Sequence, residues 1–243
     1  MPIRTTPPFR NALLMGLVFG ATSIPLYPEA AEQSPPAQAS QAPTYVPPLR
    51  GAPSRRVGGS TRGFNLTLPS ISVIAPDHVG LTVSSQPVLY WFISKPTRVR
   101  LEITVIDESG VKPLLELPLN QVDGPAIHAI DLSRHGITLT RGMEYQWTVA
   151  LVPDANERSG DLISGGAIKV VEPPTELRDR LARVPASELP PAALAAAGLW
   201  YDAIHALSVQ IGRQPQDAQL RAQRAALAEQ AGLAEVAGFD RKR

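Results

Sequence analysis

The sequence contains no cysteine, few aromatic residues and no excess of charge of either sign. Without cysteine there is no disulfide, no cysteine nucleophile, no cysteine-ligated metal and no lipid-modified cysteine. The 23 Lys and Arg residues balance 22 Asp and Glu residues, and a net charge of +1 gives no strong field for nucleic acid or anionic lipid. With 44% apolar residues in 243 positions, the chain has enough apolar surface for a folded core in one or two domains.

Residues 1–31 have the pattern of a signal peptide or an N-terminal anchor. Arg4 and Arg10 precede an apolar run at residues 12–21, and the first carboxylate is Glu29. A basic segment followed by an apolar run of this length is typical of secretory signals, and the run is too short to span a bilayer as a mature helix. The alternative is a short buried core helix. The pattern favours export to the periplasm or the extracellular space.

Residues 32–65 are predicted to form a disordered linker rich in Pro, Gly and Arg. Six prolines fall between Ser34 and Pro53, and no acidic residue occurs between Glu32 and Asp77. Proline fixes φ and removes a backbone donor, and few apolar side chains are present to offset the entropy of ordering. The alternative is a basic arm that touches anionic lipid or polymer through its arginines.

Residues 66–172 show the two-residue period of β-strands. Apolar side chains alternate with polar ones over 98–106 and over 143–151, which predicts strands with one buried face. The continuous apolar run 88–93 predicts a central strand. A turn at 107–110 predicts a hairpin between 98–106 and 111–117. Shorter strands are predicted at 79–84, 127–132 and 166–171. Seven or so short strands predict an antiparallel immunoglobulin-like β-sandwich.

Two tryptophans, Trp91 and Trp147, lie on these predicted strands. They are either core residues or an exposed platform on which sugars stack. The core interpretation is favoured, because Trp147 shares its side of the strand with Val149 and Leu151.

Residues 173–238 change to a helical period, so the predicted fold class is α+β with strands first and helices after. The predicted helices are 175–183, 192–197, 200–211 and 217–231. The basic residues 239–243 are predicted to be a frayed tail.

The helical segment resembles a tetratricopeptide repeat. Gly198 and Gly232 are separated by the 34-residue period of that repeat, Ala203 stands at a close-packing position and Pro215 at the closing position. Arg224 departs from the expected apolar residue. Little more than one repeat is present, so the helices are predicted to pack on one another and on the β-region. A plain helical hairpin is the alternative.

Five stretches together resemble the bacterial, largely cyanobacterial family known as domain of unknown function 928, over about residues 48–238. These stretches are the Gly/Arg-rich run from Arg50-Gly51-Ala52-Pro53 onwards, His78–Thr82, Pro87–Ile93, Tyr145-Gln146-Trp147 and Gly198–Ala203. The resemblance implies a signal peptide and the architecture above. It implies no catalytic residue, and the cysteines that members often carry are missing here.

The sequence shows no motif for a catalytic residue, a cofactor site or a metal site. The four histidines show no metal-ligand spacing; they are His78, His128, His135 and His205. The acidic loop 154–161 could bind calcium, but an ordinary solvated hairpin is favoured because the spacing does not match an EF-hand. Glu102 with Asp107 or Glu116 could form a glycosidase pair, yet Glu102 lies on the polar side of its strand.

Two classes of function follow from these observations. The first is an exported, non-catalytic accessory protein of the cell envelope that binds another envelope protein through Trp200, Tyr201 and Asp202, or through an exposed sheet edge. The second is an envelope polysaccharide-binding or hydrolytic module, which needs exposed aromatic rings beside Glu102 or Glu144. Neither class involves nucleic acid, and no stable membrane span is expected unless the N-terminal segment is retained.

Overall fold

The computed structural model describes residues 42–48 and 68–243, which hold eight strands and five α-helices. The strands are β1 Ile71–Val73, β2 Gly80–Thr82, β3 Val88–Ile93, β4 Arg100–Asp107, β5 Pro113–Leu119, β6 Ala126–Asp131, β7 Glu144–Val152 and β8 Leu162–Val170. The helices are α1 Thr175–Leu181, α2 Pro191–Ala196, α3 Trp200–Arg213, α4 Ala218–Gln230 and α5 Ala234–Arg241. Strands first and helices after is the predicted α+β order. The predicted signal segment and most of the predicted linker lie outside the described residues.

The strands form two sheets. One has three antiparallel strands in the order β1-β3-β6, and the other has five strands in the order β2-β8-β7-β4-β5. The prediction of a purely antiparallel arrangement is wrong at one pair, because β2 runs parallel to β8. These two strands are far apart in the chain, so no hairpin forces them to be antiparallel. β1 packs against β7 and β8 of the other sheet.

The hairpin between β4 and β5 follows the sequence prediction. Gly110 has a positive φ of 65°, which suits glycine, and its N–H donates to the Asp107 carbonyl at 3.1 Å. The pairing runs from Leu101 opposite Leu119 to Ile106 opposite Pro113. The short strand β1 has no counterpart among the sequence predictions.

Large aromatic residues fill the space inside the β-region. Trp91 and Trp147 are both buried, which confirms the core interpretation over an exposed stacking platform. The segment that follows β1 approaches β8 so closely that a Cβ added to Gly166 would lie 2.5 Å from the Cβ of Ala75. No larger residue fits at Gly166 without displacing backbone.

Helices α2 and α4 end in the same way. Gly198 has φ +76° and Gly232 has φ +70°. Each glycine donates its N–H to the carbonyl three residues before it, and the following leucine donates to the carbonyl five residues before it. This is the Schellman closure, which needs a residue in the left-handed region. The two closures are 34 residues apart, at the spacing predicted from the sequence.

Helix α5 corrects the prediction of a frayed tail at 239–243. The helix extends to Arg241, and the Asp240 carboxylate is buried against the Arg224 guanidinium at 2.7 Å. Arg224 lies on α4, so the ion pair attaches the last helix to the one before it. None of the helices in 42–48 and 68–243 is long and apolar enough to cross a membrane.

Residues 42–48 correct the prediction of a disordered linker over part of its length. We call this segment the strap. The Tyr45 backbone N–H donates to Gln230 Oε1 at 2.8 Å, and its hydroxyl is hydrogen-bonded to His78 Nε2 at 2.8 Å. The Tyr45 ring also packs edge-on against Trp200, with centroids 5.0 Å apart. Gln230 Nε2 also donates to the Pro43 carbonyl at 2.9 Å, and the Val46 N–H donates to the Ala195 carbonyl at 3.1 Å. Tyr45 and these two hydrogen bonds therefore hold a proline-rich segment on the helices.

Sheets and helices share one hydrophobic core. β8 ends at Val170 and α1 begins at Thr175, so the chain changes from strand to helix between these two residues. Helix α3 nevertheless packs directly on β2 and β3. All described residues belong to one compact unit, residues 40–243.

Candidate functional site

The three residues predicted to contact a partner lie at the start of α3. Trp200, Tyr201 and Asp202 are 0%, 2% and 4% exposed. The Trp200 indole N–H donates to the Ile74 carbonyl at 3.0 Å. These side chains attach α3 to the strands of the same chain, and their role in binding a partner stays a prediction.

Tyr201 connects α3 to the five-stranded sheet. Its hydroxyl accepts a hydrogen bond from the Trp147 indole N–H at 2.9 Å and donates one to the Ala167 carbonyl at 3.0 Å. Burial raises the pKa of the Tyr201 hydroxyl well above its usual value. The ring fits only beside a glycine, because a Cβ added to Gly80 would lie 2.6 Å from Tyr201 Cε2.

Asp202 is a buried carboxylate with two donors. It accepts from the Thr82 hydroxyl at 3.2 Å and from the Val83 N–H at 3.1 Å, both at the end of β2. Burial raises the pKa of Asp202 to about 7, although both hydrogen bonds act in the opposite direction.

A cleft of about 640 Å³ lies between β5 and β6, and we call it the β5–β6 cleft. Leu117 and Leu119 line it from β5, while His128, Ala129 and Ile130 line it from β6. Successive side chains of a strand point to opposite faces, so a cleft that touches three successive residues of β6 runs along the edge of that strand.

Both strands beside the cleft have a free backbone edge. Within the described residues, β5 pairs with β4 alone and β6 pairs with β3 alone. Free N–H and C=O groups along such an edge can pair with another extended chain. The free edge of β6 and the apolar side chains from both strands make the cleft suited to an extended peptide. The lining is mixed, because it also includes Asp131, Arg134 and His135.

Polar groups surround the apolar lining of the cleft. The ring of His128 stacks on buried Trp91, with centroids 4.8 Å apart, and its Nε2–H donates to the Asp123 carbonyl at 2.7 Å. His205, also at the cleft, is bonded through Nδ1 to the Tyr90 hydroxyl at 2.9 Å. Burial lowers the pKa of His205, so its imidazole is neutral at pH 7.

The carboxylates considered as catalytic from the sequence are engaged in ion pairs. Glu102 binds Arg100 and Arg158, each at 2.8 Å. Glu144 binds Lys169 at 3.3 Å. Trp91 and Trp147 are buried, so neither offers the exposed ring beside Glu102 or Glu144 that the polysaccharide hypothesis requires.

The acidic loop considered as a calcium site has local partners for its side chains. Asp154 accepts from the Asn156 N–H, Glu157 accepts from Ser159, and Asp161 accepts from Arg158. Across the described part of the chain, no three His, Asp or Glu side chains are grouped so that they could hold a metal ion. The other oxygen of Asp161, Oδ1, is buried without a hydrogen-bond partner among the described residues.

The β5–β6 cleft is not among the sites predicted from the sequence, although one signal for it is present there. Pro113 and Pro118 both lie in β5, and proline lacks the N–H that an interior strand donates to its neighbour. Two prolines in one strand indicate an edge strand. The leucines of β5, at positions 114, 115, 117 and 119, then indicate that this edge strand carries apolar side chains.

The fold and the cleft define an α+β protein in which two sheets and a set of C-terminal helices share one core. The chain belongs to the family described as Domain of Unknown Function (DUF928), whose model matches residues 57–239. This range agrees with the resemblance noted over about residues 48–238. A search of curated proteins finds no match.

Proposed function

We propose that this protein is an exported, non-catalytic accessory module of the cell envelope that binds another envelope protein in the β5–β6 cleft. The observation that carries the proposal is a cleft that runs along the free edge of β6 and has apolar side chains of β5 on its other side. Of the two surfaces considered from the sequence, the sheet edge has the better support, because Trp200, Tyr201 and Asp202 are occupied inside the chain.

The binding mode we propose is strand addition. An extended segment of the partner pairs its backbone with the free edge of β6, and alternate side chains of that segment contact Leu117 and Leu119. The backbone hydrogen bonds between the partner segment and β6 supply affinity, and the two leucines favour apolar side chains in that segment. The polar groups of His128 and Asp123 lie where the rim of such an interface is expected.

Polysaccharide binding or hydrolysis has less support. Sugar recognition on a sheet needs exposed aromatic rings, and Trp91 and Trp147 are buried. Both carboxylate oxygens of Glu102 are engaged in ion pairs with arginines, whereas the acid of a glycosidase must reach the glycosidic oxygen.

We further propose an immunoglobulin-like relation between the two sheets, a tetratricopeptide-like geometry for α2 to α5, and a bacterial, largely cyanobacterial origin. The repeat geometry is supported by the two Schellman closures 34 residues apart at Gly198 and Gly232. Ala203 and Ala237 stand at the same offset and are both fully buried, which lets paired helices approach closely.

A pair of matched substitutions tests the binding surface. Ala129→Glu places a charge at the free edge of β6, whereas Ile163→Glu places the same charge at an exposed position of β8. We expect quantitative capture of an envelope protein by the tagged chain to fall at least about tenfold with Ala129→Glu and to stay at the wild-type level with Ile163→Glu. Equal capture by the two variants would overturn the proposed surface.

Export has its own test. Cell fractionation combined with N-terminal sequencing should find the chain outside the cytoplasm and shortened within residues 1–31. Full-length chain confined to the cytosol would refute export without affecting the cleft.

A further inference from the structure

A second cleft, on the helical side of the molecule, is lined by three arginines. It measures about 320 Å³ and includes Arg221, Arg224 and Arg243, with the hydroxyls of Tyr90 and Ser208 beside them. None of the described side chains that line it is acidic. In a chain of net charge +1, this is a concentrated region of positive charge.

Arg224 is the fixed member of the group. It is 5% exposed, and its Nε and Nη2 donate to the two oxygens of Asp240 at 2.8 and 2.7 Å. Its Nη1 donates to the Ser208 hydroxyl at 2.9 Å. Asp240 lies behind the guanidinium and neutralises one of the three positive charges.

Arg221 is only partly satisfied. Its Nη2 donates to the Pro215 carbonyl at 2.9 Å. Its Nε is buried and has no acceptor among the described residues. A buried guanidinium donor without an acceptor is costly, and such groups in native proteins call for an explanation.

Arg243 contributes the third charge. Its guanidinium lies over the ring of Phe239, 4.9 Å from the centroid. Neither Arg221 nor Arg243 takes part in any ion pair found within 42–48 and 68–243. Among side chains, three guanidiniums and one carboxylate leave the cleft with an excess of two positive charges.

We propose that this arginine cleft binds the phosphate group of a small phosphate monoester or of free phosphate. A phosphate monoester carries about −1.5 to −2 charges near neutral pH, which matches the excess of two. Arginine is the side chain best suited to phosphate, because its planar fork donates two parallel hydrogen bonds. The volume lies at the small end of the range for ligand pockets, roughly 300–1,000 Å³, so the group attached to the phosphate is small.

The test is calorimetric titration of the full chain at constant ionic strength. Inorganic phosphate and glycerol 3-phosphate are the two probes, and they distinguish free phosphate from a monoester. The variants are Arg221→Gln and Arg243→Gln, and the matched control is Arg213→Gln, an exposed arginine at the end of α3 that does not line the cleft. Thermal unfolding in phosphate-free buffer checks that each variant is folded.

We expect saturable binding of at least one probe by the wild-type chain. Each cleft substitution should raise Kd about tenfold, which corresponds to about 1.4 kcal/mol, and Arg213→Gln should leave Kd unchanged. Tighter binding of glycerol 3-phosphate identifies a monoester site, and equal binding identifies a site for phosphate alone. The proposal is overturned if neither probe binds saturably, or if Arg243→Gln, whose exposed side chain is not needed for folding, leaves Kd at the wild-type value.

Discussion

Replacing Tyr201 by Phe removes one oxygen atom from the contact between α3 and the five-stranded sheet. The Trp147 indole N–H then loses its acceptor and the Ala167 carbonyl loses a donor. Tyr201 is 2% exposed and Trp147 is fully buried, so water does not replace the hydroxyl. An unsatisfied buried group costs about 1–3 kcal/mol, and the carbonyl has a second lone pair, so we expect a loss of about 2–4 kcal/mol in the free energy of unfolding.

The assay is urea unfolding at pH 7, followed by far-ultraviolet circular dichroism and by tryptophan fluorescence. The matched control is Tyr45→Phe, whose hydroxyl bonds to a half-buried His78 and should cost about 1 kcal/mol. Both signals should shift together, because the helices and the sheets share a core. The reasoning fails if Tyr201→Phe loses no more than the control, or if the helical signal shifts alone.

Three further substitutions test the contacts around the same core. Gly80→Ala puts a Cβ 2.6 Å from the Tyr201 ring and should lower stability by about 1–3 kcal/mol in thermal unfolding; a neutral result would contradict the close approach. The pKa of Asp202, raised to about 7, means that the native state binds the proton more tightly than the unfolded state. The contribution of Asp202 to the free energy of unfolding is therefore greatest below about pH 4. It declines as pH rises to about 7, by roughly 4 kcal/mol at most. Asp202→Asn should flatten the dependence of the unfolding free energy on pH between about pH 4 and pH 7. An unchanged slope would show that Asp202 is not the group responsible. Asp240→Ala breaks a buried ion pair and should cost about 3–5 kcal/mol, whereas Glu229→Ala, in an exposed pair, should cost under about 1 kcal/mol.

The parts of the fold that the sequence predicted are those with a local signal. Alternation along 98–106 and 143–151 marks β4 and β7, and the two glycines mark the ends of α2 and α4. In each case the side chains that determine the structure lie within a few residues of one another. Strand β1 has three residues, which is too short for a period to be detected.

The parts that the sequence missed depend on contacts between distant positions. The strap is ordered because Tyr45 reaches Trp200 and Gln230, although its composition resembles a solvated linker. Helix α5 is held by the ion pair between Arg224 and Asp240. The basic composition of residues 239–243 does not indicate this contact, because its partner lies 16 residues earlier in the chain.

The start of α3 shows why an aromatic residue on a helix is ambiguous in sequence. Trp200 and Tyr201 could line an exposed groove or fill a core, and the pattern within α3 is the same for both. The sheet on one side and the neighbouring helices on the other bury them here. The β5–β6 cleft was missed for a related reason, since it arises from two strand edges that meet only after the sheets form.

Site-specific photo-crosslinking tests the proposed binding surface most directly. A benzophenone amino acid at Ala129, on the free edge of β6, should form a crosslink to one envelope protein within the cell. The same amino acid at Ile163, which is 40% exposed on β8, should not form that crosslink. A crosslink from position 163 to the same protein, with none from position 129, would contradict strand addition at the β5–β6 cleft.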